Sequence, residues 1–470
     1  MSWRDLLEPM RMERIAIVAP LAAMWEVLAA VAAAGTVEPE RVSSRSGGNA
    51  ADALARVSAQ PGQISGVPVP VLGSTRPDLA LLERDGRVGE IAGEAELETV
   101  AACAVRRGRV VAMAAWSPAN AVAPLASRLA PFGGTVVCLP IPPGSQPPTL
   151  LAKVGAARAF QPLVDTYATL PYADVNPSLF AGVAYVIMFG MMFGDVGHGA
   201  LLAVAGALLL AGRPRRFVRY RAAAPFVVGA GLASAAFGLA YGEAFGPTGL
   251  VPILWLAPLR APLTLMAAAI AVGAGLLAVS YGLGTVNRWR EGGFARALVA
   301  LSGLAGIALY IGLALVGLGS FLRTVALSIA GAVLAASGLV LSFIGLYAAT
   351  GGRFAGALEA GIELFDGVVQ LGTNTISFAR LAAFGLTHAA LGLMVWTATV
   401  TQWERGPRWW ALAVVIFVVG NVLAFALEAL VAAIQALRLE YYEMFSRIFI
   451  APGRAFVPWH IASTARKETS

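Results

Sequence analysis

Apolar and polar residues are distributed unevenly along the chain. Residues 1–177 mix apolar and charged positions, whereas residues 178–450 contain long stretches without a charged side chain. The clearest uncharged spans are 222–240, 262–285, 297–322 and 324–352. Each is long enough to cross about 30 Å of hydrocarbon at about 1.5 Å per residue. Several such spans in succession argue against a soluble enzyme with a large core and predict an integral membrane protein.

Two longer apolar segments follow, roughly residues 361–403 and 409–445. Their lengths exceed a straight crossing, so we expect helices that are strongly tilted or kinked, or that extend beyond the bilayer. The segment 178–212 is longer than one membrane span needs and shorter than two full spans need. The break around Asp195 predicts a hairpin of two short helices, with Asp195 capping the second and His198 in its first turn. The prediction is therefore a polytopic membrane domain of eight transmembrane helices, the last two long and tilted.

The first part of the chain has the pattern of an α/β domain. Two units each predict a buried strand, a helix and a return strand: residues 13–20, 21–34 and 36–40, then residues 109–116, 118–129 and 135–140. We therefore expect two small strand–helix–strand lobes. The segment 12–35 also resembles a signal peptide, but Glu13 and Glu26 interrupt its apolar run. The domain prediction is a cytoplasmic α/β arm (1–150), a connector with an interfacial segment (151–177), the membrane domain (178–450) and a cytoplasmic C-terminal tail (451–470).

Composition agrees with this division. The chain is 58% hydrophobic and only 13% charged, whereas globular domains are nearer a quarter charged. The two cysteines, Cys103 and Cys138, lack metal-site spacing and fit a reducing compartment. No GxxxxGK[ST] motif occurs, so this chain does not bind nucleotide through such a loop. The net charge of +7 comes with arginines clustered beside apolar spans, which favours cytoplasmic loops over nucleic-acid binding.

The loop charges test the number of crossings. With a cytoplasmic N-terminus and eight spans, the inner loops hold thirteen basic residues and the outer loops four. The inner residues are Arg213, Arg215, Arg216, Arg219, Arg221, Arg288, Arg290, Arg296, Arg353, Arg447, Arg454, Arg466 and Lys467, and the outer ones are Arg260, Arg323, Arg405 and Arg408. Cytoplasmic loops of membrane proteins are enriched in Lys and Arg. An exported N-terminal domain would invert this bias, and a single span over residues 178–212 would place the first arginine cluster outside.

Two arginines lie deep within the last two apolar segments. Arg380 stands between Ala379 and Leu381, and Arg438 between Leu437 and Leu439. Arginine stays protonated even when desolvated, so neither side chain can relay a proton itself. A fixed cation in a low-dielectric wall can instead meet a mobile carboxylate and favour its ionised form. The structural alternative is that these charges pair with one another or extend towards the headgroups.

Other polar groups flank the arginines in two sets. Asp366, with Glu363, lies about 21 Å inward of Arg380, and His388 lies about 12 Å outward. On the final helix, which runs back inward, Asn421, Glu428 and Gln435 follow one another at seven-residue steps on one stripe. If the two arginines sit at similar depth, His388 and Glu428 converge at a similar outer depth. Two offset half-channels separated by a positive barrier are the simplest functional interpretation. No close ligand spacing predicts a metal site.

Three motifs resemble the large membrane subunit of V-type and V/A-type ATPases, called subunit a or subunit I. They are residues 189–199 (FGMMFGDVGHG), 377–390 (SFARLAAFGLTHAA) and 436–449 (ALRLEYYEMFSRIF). The first contains Gly194, Asp195, Gly197 and His198 as a structural signature. The resemblance implies that Arg380 and Arg438 face a ring of rotor subunits. It also implies polar-path roles for Asp366, His388 and Glu428, and we add Gln435 and Glu363 from their positions.

The resemblance further implies an ion-translocating stator subunit that couples ion flux to ATP hydrolysis or synthesis on other subunits. H⁺ is the expected ion, although the sequence alone also fits Na⁺. Expected partners are a rotor ring of small carboxylate-bearing membrane subunits and peripheral stalk subunits at the N-terminal domain, with an indirect link to the ATP-hydrolysing head. The expected location is a bacterial or archaeal plasma membrane, with both termini cytoplasmic and no cofactor. Residues 41–90 are too short for the long coiled coil that this family usually has.

Two other classes remain open from the sequence. A secondary transporter would also have eight or more spans and buried charges, but it should contain repeated halves with broken helices at matching positions. No such repeat is found. A membrane scaffold without a transport role would use the arginines for structure alone. Copurification of a small, carboxylate-bearing hairpin protein in many copies would separate the rotary function from both.

Overall fold

The computed structural model describes residues 8–40, 48–59, 68–73, 75–142, 144–151, 157–167, 169–350, 354–449 and 453–463. The chain forms two compact units. We call Pro9–Ala152 with Gly453–Ser470 the sheet unit, and Lys153–Pro452 with Met1–Glu8 the helical unit. Arg353, Arg466 and Lys467, which were counted as inner-loop charges, lie outside the described residues.

One antiparallel sheet organises the sheet unit. The strands of this unit are β1 (Met12–Pro20), β2 (Glu38–Pro39), β3 (Val71–Leu72), β4 (Val105–Arg107), β5 (Val110–Pro118), β6 (Thr135–Cys138) and β7 (Ala462–Ser463). β1 and β5 pair along their whole length, from Met12 opposite Pro118 to Pro20 opposite Val110. β6 pairs with the other edge of β1, and β2 and β4 pair with β5. The order is β2-β5-β1-β6.

The predicted α/β character is confirmed, but the arrangement as two separate lobes is not. β1, from the first strand–helix–strand unit, lies between β5 and β6 of the second. A strand at the edge of a sheet presents unpaired N–H and C=O groups, and interleaving the two units pairs these groups along β1 and β5. Ile15, Ile17 and Ala19 point from β1 into the apolar core. The apolar core therefore combines residues of both strand–helix–strand units beneath a single sheet.

The helices of the sheet unit cover this core and fill the connection between the two strand–helix–strand units. They are α1 (Met24–Ala34), α2 (Asn49–Ser58), α3 (Leu79–Arg84), α4 (Val88–Ala101) and α5 (Ala119–Leu129), with 3₁₀ turns at Leu21–Ala23 and Ala130–Phe132. α1 ends where predicted, at Gly35, which adopts the left-handed conformation with φ 59°. We expected residues 41–90 to be too short for a long coiled coil. The described part of this segment contains short helices.

The residues after 452 complete the sheet unit, although their sequence predicted only a C-terminal tail. β7 pairs in parallel with β3. Trp459 is buried, its backbone N–H donates to Val37 O at 2.7 Å, and its indole Nε1 donates to Glu96 Oε1 at 3.1 Å. The chain therefore leaves the sheet unit, forms the helical unit and returns to the same fold.

Helices joined by loops build the described part of the helical unit. They are α6 (Ala157–Tyr167), α7 (Ser178–Met192), α8 (Val196–Leu210), α9 (Ala224–Tyr241), α10 (Pro262–Val299), α11 (Leu304–Phe321), α12 (Val325–Ala349), α13 (Phe354–Ser377), α14 (Ala379–Trp403), α15 (Trp410–Leu439) and α16 (Ser446–Ile448), with 3₁₀ segments at Arg215–Ala223 and Pro407–Trp409 and a π-helix at Glu440–Phe445. Six helical segments of the described chain are long and apolar enough to cross a membrane, and α7 and α8 are apolar but have only 15 residues each.

α7 and α8 form the predicted pair of short helices around Asp195. Glycines allow both to approach α9 closely. The contacts are Val186 with Gly229 and Gly190 with Ala233 for α7, and Gly199 with Ala235 and Gly206 with Val228 for α8. In the contacts of α7, a higher residue number in α7 meets a higher number in α9. In the contacts of α8, a higher number in α8 meets a lower number in α9. α7 therefore runs parallel to α9 and α8 antiparallel to it, so α7 and α8 run in opposite directions.

Each of the two long final segments contains an interruption of its α-helix. α13 and α14 follow one another with a break at Phe378, whose buried ring lies against Gly273 of α10. The last segment passes from α15 into the π-helix at Glu440. A π-helix adds one residue per turn and often marks a functional position. Both interruptions lie near the predicted arginines.

Candidate functional site

Arg380 lies two residues after the break between α13 and α14. The break leaves the carbonyl of Ser377 available, and Arg380 Nε donates to it at 3.1 Å. Arg380 Nη2 donates to Glu443 Oε1 at 2.9 Å. The arginine side chain is 26% exposed, and that of Glu443 is 10% exposed. The guanidinium is therefore anchored from two directions while part of it stays accessible.

Glu443 reaches Arg380 because it belongs to the π-helix. The extra residue per turn changes which side chains of this segment face α14. Glu440, at the start of the same π-helix, is fully buried, and neither carboxylate oxygen has a hydrogen-bond partner within the described chain. From sequence alone, a structural and a functional role were equally open for Glu443 and Glu440. The structure makes Glu443 the partner of the central arginine.

A chain of polar side chains leads from Glu443 towards the start of α13. With its amide oriented to satisfy its neighbours, Asn374 donates to Glu443 Oε2 at 3.2 Å and accepts from Arg447 Nη2 at 2.9 Å. Arg447 Nη2 also donates to Gln370 Oε1 at 2.9 Å. Gln370 Nε2 in turn donates to Asp366 Oδ2 at 2.8 Å. These side chains connect Arg380 with the predicted inner carboxylate, and we call Asn374, Arg447, Gln370 and Asp366 the inner chain.

His388 and Glu428 meet on the other side of Arg380. His388 Nδ1 is in hydrogen-bond contact with Glu428 Oε2. Their side chains are 5% and 12% exposed. The convergence that helical spacing predicted for α14 and α15 is therefore confirmed. His388 lies about 12 Å along α14 from Arg380, at about 1.5 Å per residue.

The signature segment between α7 and α8 contacts this outer pair. Asp195 caps α8 as predicted, since its Oδ1 accepts from the backbone N–H of His198 at 2.8 Å. Its Oδ2 accepts from the backbone N–H of Gly246 at 2.9 Å. The ring of His198 lies 5.7 Å from that of His388, measured between centroids. The segment thus holds a second imidazole beside the first.

Glycine is required in this segment because neighbouring rings press against the backbone. A Cβ atom on Gly194 would lie 2.5 Å from the ring of Tyr241, and one on Gly197 would lie 2.5 Å from that of Phe245. Both distances are well inside van der Waals contact. The two glycines therefore permit the close packing that brings His198 to His388.

A further carboxylate, which the sequence pattern did not predict, lies in the same region. Glu243 follows α9, is 5% exposed, and its backbone carbonyl accepts from the N–H of Val196 at 2.9 Å. Its carboxylate is close enough to His388 and Asp195 to interact electrostatically with both. The available signal was a single acidic residue between two uncharged spans. We call His388, Glu428, His198, Asp195 and Glu243 the outer cluster.

The remaining residues that the sequence predicted for the site belong to neither the inner chain nor the outer cluster. Arg438 is exposed, and no ion pair or hydrogen bond of its side chain is found among the described residues. Glu363 is exposed on α13. The amide oxygen of Gln435 has no hydrogen-bond partner in the described chain. Arg438 therefore offers an unpaired cation on the exposed side of α15.

The arrangement places a permanent cation between two sets of polar side chains. The inner chain ends at an exposed carboxylate, and the outer cluster is buried and made of acidic and imidazole groups. Imidazole and carboxylate side chains can bind and release protons, whereas the guanidinium of Arg380 stays charged. Protons can therefore bind and leave at Asp366 and at the groups of the outer cluster, whereas the fixed charge of Arg380 opposes the movement of a cation past it.

Comparisons with known proteins agree with the resemblance of the motifs. Residues 99–217 match the model of the V-type ATPase 116kDa subunit family. The chain is 27% identical to A-type ATP synthase subunit I of Pyrococcus horikoshii over 385 residues, which are 78% of this chain and 55% of the relative. It is 26% identical to the subunit of the same name from Thermococcus kodakarensis over 66% of this chain and 47% of the relative.

A third relative, A-type ATP synthase subunit I of Halobacterium salinarum, is 25% identical over 67% of this chain and 51% of the relative. The chain thus spans about half the length of the curated relatives it matches. The predicted resemblance to this family of membrane subunits is confirmed. Together with the six long apolar segments, it identifies an integral membrane protein with an α/β region followed by a helical region.

Proposed function

We propose that this chain is the ion-translocating stator subunit of a rotary ATPase of the V/A type, with H⁺ as the ion. The observation that carries the proposal is the position of Arg380 between the inner chain and the outer cluster. The two sets act as offset half-channels that open towards opposite sides of the membrane. Arg380 and the exposed Arg438 face a rotor ring of small membrane subunits, each with one carboxylate.

The mechanism follows from the charges. A proton that enters one half-channel neutralises a rotor carboxylate, which can then travel through lipid because it has no charge. After nearly a full turn the carboxylic acid meets Arg380, whose permanent charge favours the ionised form. The proton is released into the other half-channel. Glu443 and Ser377 O hold the guanidinium in place, so the barrier stays at one position while the rotor moves.

The chemistry of the outer cluster supports H⁺ over Na⁺. Two of its side chains are imidazoles, which exchange protons near neutral pH. Hard cations such as Na⁺ and Mg²⁺ prefer oxygen ligands, as Mg²⁺ and Ca²⁺ sites illustrate. A path through His388 and His198 is therefore better suited to proton transfer than to sodium coordination.

We propose eight crossings with both termini cytoplasmic. The two connections of the helical unit both join the sheet unit, so an even number of crossings is needed for them to emerge on one side. Six long segments and the antiparallel α7 and α8 add up to eight. The two short helices of 15 residues span only about 22 Å at about 1.5 Å per residue, so local thinning or burial among other helices would accommodate them.

The chain itself carries out no ATP chemistry in this proposal. ATP is hydrolysed or made on other subunits, and the sheet unit docks a peripheral stalk that keeps the stator from turning with the rotor. The complex lies in a bacterial or archaeal plasma membrane. Deleting 9–150 should leave an inserted helical unit but release the ATP-hydrolysing head. A head that stays attached and coupled without those residues would refute the role of the sheet unit.

ATP-driven ion uptake by the purified complex in sealed vesicles tests the central proposal. We expect uptake that stops when Arg380 is replaced by Gln, in a complex that still contains many copies of a small, carboxylate-bearing hairpin protein. Uptake by this chain alone, without such a protein and without ATP, would instead support a secondary transporter. Assembly without any uptake would support a scaffold.

A further inference from the structure

We propose that Asp195, His198 and His388 form a binding site for a divalent transition-metal ion of the Zn²⁺ type. The three residues come from two distant parts of the chain, which is why sequence spacing predicted no metal site. Each offers one ligand atom, and these atoms all lie within 4.8 Å of one another. All three residues are buried, with exposures of 0%, 3% and 4% in the order given. Small side-chain movements would bring the ligand atoms to the distances of about 2.0–2.2 Å from zinc that imidazole and carboxylate ligands adopt.

His198 provides an independent indication of a ligand. Both of its ring nitrogens are buried without a hydrogen-bond partner in the described chain. Its Nδ1 lies 3.8 Å from Asp195 Oδ1, and Asn421 lines the same cavity as His198. A buried polar group without a partner is destabilising, because it has lost its hydrogen bonds to water. A metal ion bound between the imidazole and the carboxylate would satisfy the ring nitrogen that faces Asp195.

The surrounding charges favour a cation. The carboxylates of Asp195, Glu243 and Glu428 all act electrostatically on His388. A donor set of two imidazoles and one carboxylate fits Zn²⁺ and Co²⁺, whereas Mg²⁺ and Ca²⁺ prefer oxygen ligands alone. The fourth position remains for water. Glu428 contacts Nδ1 of His388, and such a carboxylate contact orients a metal-binding imidazole.

Two cavities give access to this cluster from different sides. One, of about 230 Å³, is lined by His388, Glu428 and Thr387 among others. The other, of about 240 Å³, is lined by His198, Asn421 and Phe245 among others. Each is large enough for several water molecules, at about 30 Å³ per molecule of liquid water. Each imidazole of the proposed site therefore borders a cavity of its own.

Metal binding would close the outer half-channel. An imidazole that coordinates a metal ion must be neutral at that nitrogen and cannot exchange a proton there. Because His388 also contacts Glu428, a bound ion would immobilise both residues of the outer pair. This inhibitory consequence rests on the proposed function, whereas the binding of the metal does not.

Binding is measured first, on the full-length chain in detergent with Cys103→Ser and Cys138→Ser to remove thiols. The chain has only three histidines, so His460→Ala is a matched control that leaves both proposed ligands in place. By calorimetry with ZnCl₂ and by the visible spectrum of Co²⁺, we expect one bound ion per chain. His198→Ala and His388→Ala should each weaken binding about 10-fold or more, and His460→Ala should not. Asp195→Asn, which retains a capping oxygen, should also weaken it if His198→Ala fails to fold.

The outcomes separate the site from the proposed function. No bound ion in the wild-type chain, or binding that all these variants retain, would overturn the metal site. The second measurement adds Zn²⁺ to vesicles that contain the whole complex, where we expect inhibited uptake in wild type and in His460→Ala. A bound ion that leaves uptake unchanged would keep the metal site and contradict the assignment of the outer cluster to the ion path.

Discussion

Arg380 on α14 donates to Glu443 on the π-helix across 2.9 Å, so that the permanent cation of this site is held by a carboxylate from a different helical segment. The pair leaves 26% of the arginine side chain exposed. A charged partner that is mostly buried orients the guanidinium through hydrogen bonds with a fixed geometry. The exposed remainder is available to a carboxylate on another subunit, which is the property that the proposed function requires.

Arg380→Gln should reduce ATP-driven ion uptake about 100-fold or more, the loss typical when a preorganised charged or polar donor is removed. Arg380→Lys should be nearly as inactive, because lysine lacks the planar fork that contacts Glu443 and Ser377 O together and can deprotonate when desolvated. Arg438→Gln should cause a smaller loss. Uptake in vesicles is the measurement, with Arg408→Gln in an exposed loop as the control. Normal uptake in assembled Arg380→Gln would remove the central residue from the mechanism.

His388→Ala and Glu428→Gln should each slow uptake, and the double variant should be no slower than the worse single variant within about 3-fold. Residues that work through one contact give non-additive effects, with coupling of about 0.5–3 kcal/mol. Thr387→Ala combined with Glu428→Gln is the control, since Thr387 bonds only its own helix at Ala383 O in the contacts described. Fully multiplicative losses for His388 and Glu428 would show that the two side chains act independently.

Asp366→Asn should slow uptake less than Arg380→Gln. Asp366 is exposed at the end of the inner chain, so water and Glu363 can partly replace its role in proton transfer. Uptake rates over a range of pH are the measurement, and the deficit should depend on pH because a titratable group is lost. A loss as large as that of Arg380→Gln would show that Asp366 is indispensable rather than one of several entry groups.

Topology can be measured with single cysteines in a background without Cys103 and Cys138. Arg216→Cys, between α8 and α9, should react with a membrane-impermeant reagent only from the cytoplasmic side. Glu404→Cys, between α14 and α15, should react only from the outside. Arg454→Cys in the sheet unit should match the first position. Labelling of position 216 from outside would contradict the eight-span arrangement.

Trp459→Ala should destabilise the sheet unit by about 3–5 kcal/mol, the range for removing a buried large aromatic side chain. The indole is buried and its Nε1 donates to Glu96. Amide hydrogen exchange of β1 and β5 in the full-length protein should rise accordingly. Val457→Ala, at a position 66% exposed, should change exchange little. Unchanged protection of β1 and β5 in Trp459→Ala would mean that the returning segment contributes nothing to this fold.

The features that depend on local patterns or on regular helical spacing were predictable from the sequence. The cap at Asp195 follows from a local pattern, and the meeting of His388 with Glu428 follows from regular helical spacing on α14 and α15. The interruption near Phe378 also agrees with the excess length of that segment. These predictions need only the rise and the turn of a helix.

The features that depend on distant contacts were not predictable. Glu443 reaches Arg380 through a π-helix, which breaks the spacing on which helical projections rely. His198 lies beside His388 in a segment where Gly194 and Gly197 allow close packing, and a single sequence does not specify which helices become neighbours. Strand pairing has the same limitation: β1 pairs with β5 and β6, which are about a hundred residues away.

The return of the chain to the sheet unit has a mechanical consequence. If the helical unit were joined to the sheet unit by one covalent connection, a rotor turning against it could rotate it about that connection. Here the polypeptide joins the two units at both ends of the helical unit, near residues 152 and 453. In the proposed stator, two covalent connections would resist torsion better than one, and β7 and Trp459 hold the segment after the second connection within the sheet unit. Cutting the chain between α16 and Arg454 should therefore leave every helix in place and yet let torque dissipate as slippage.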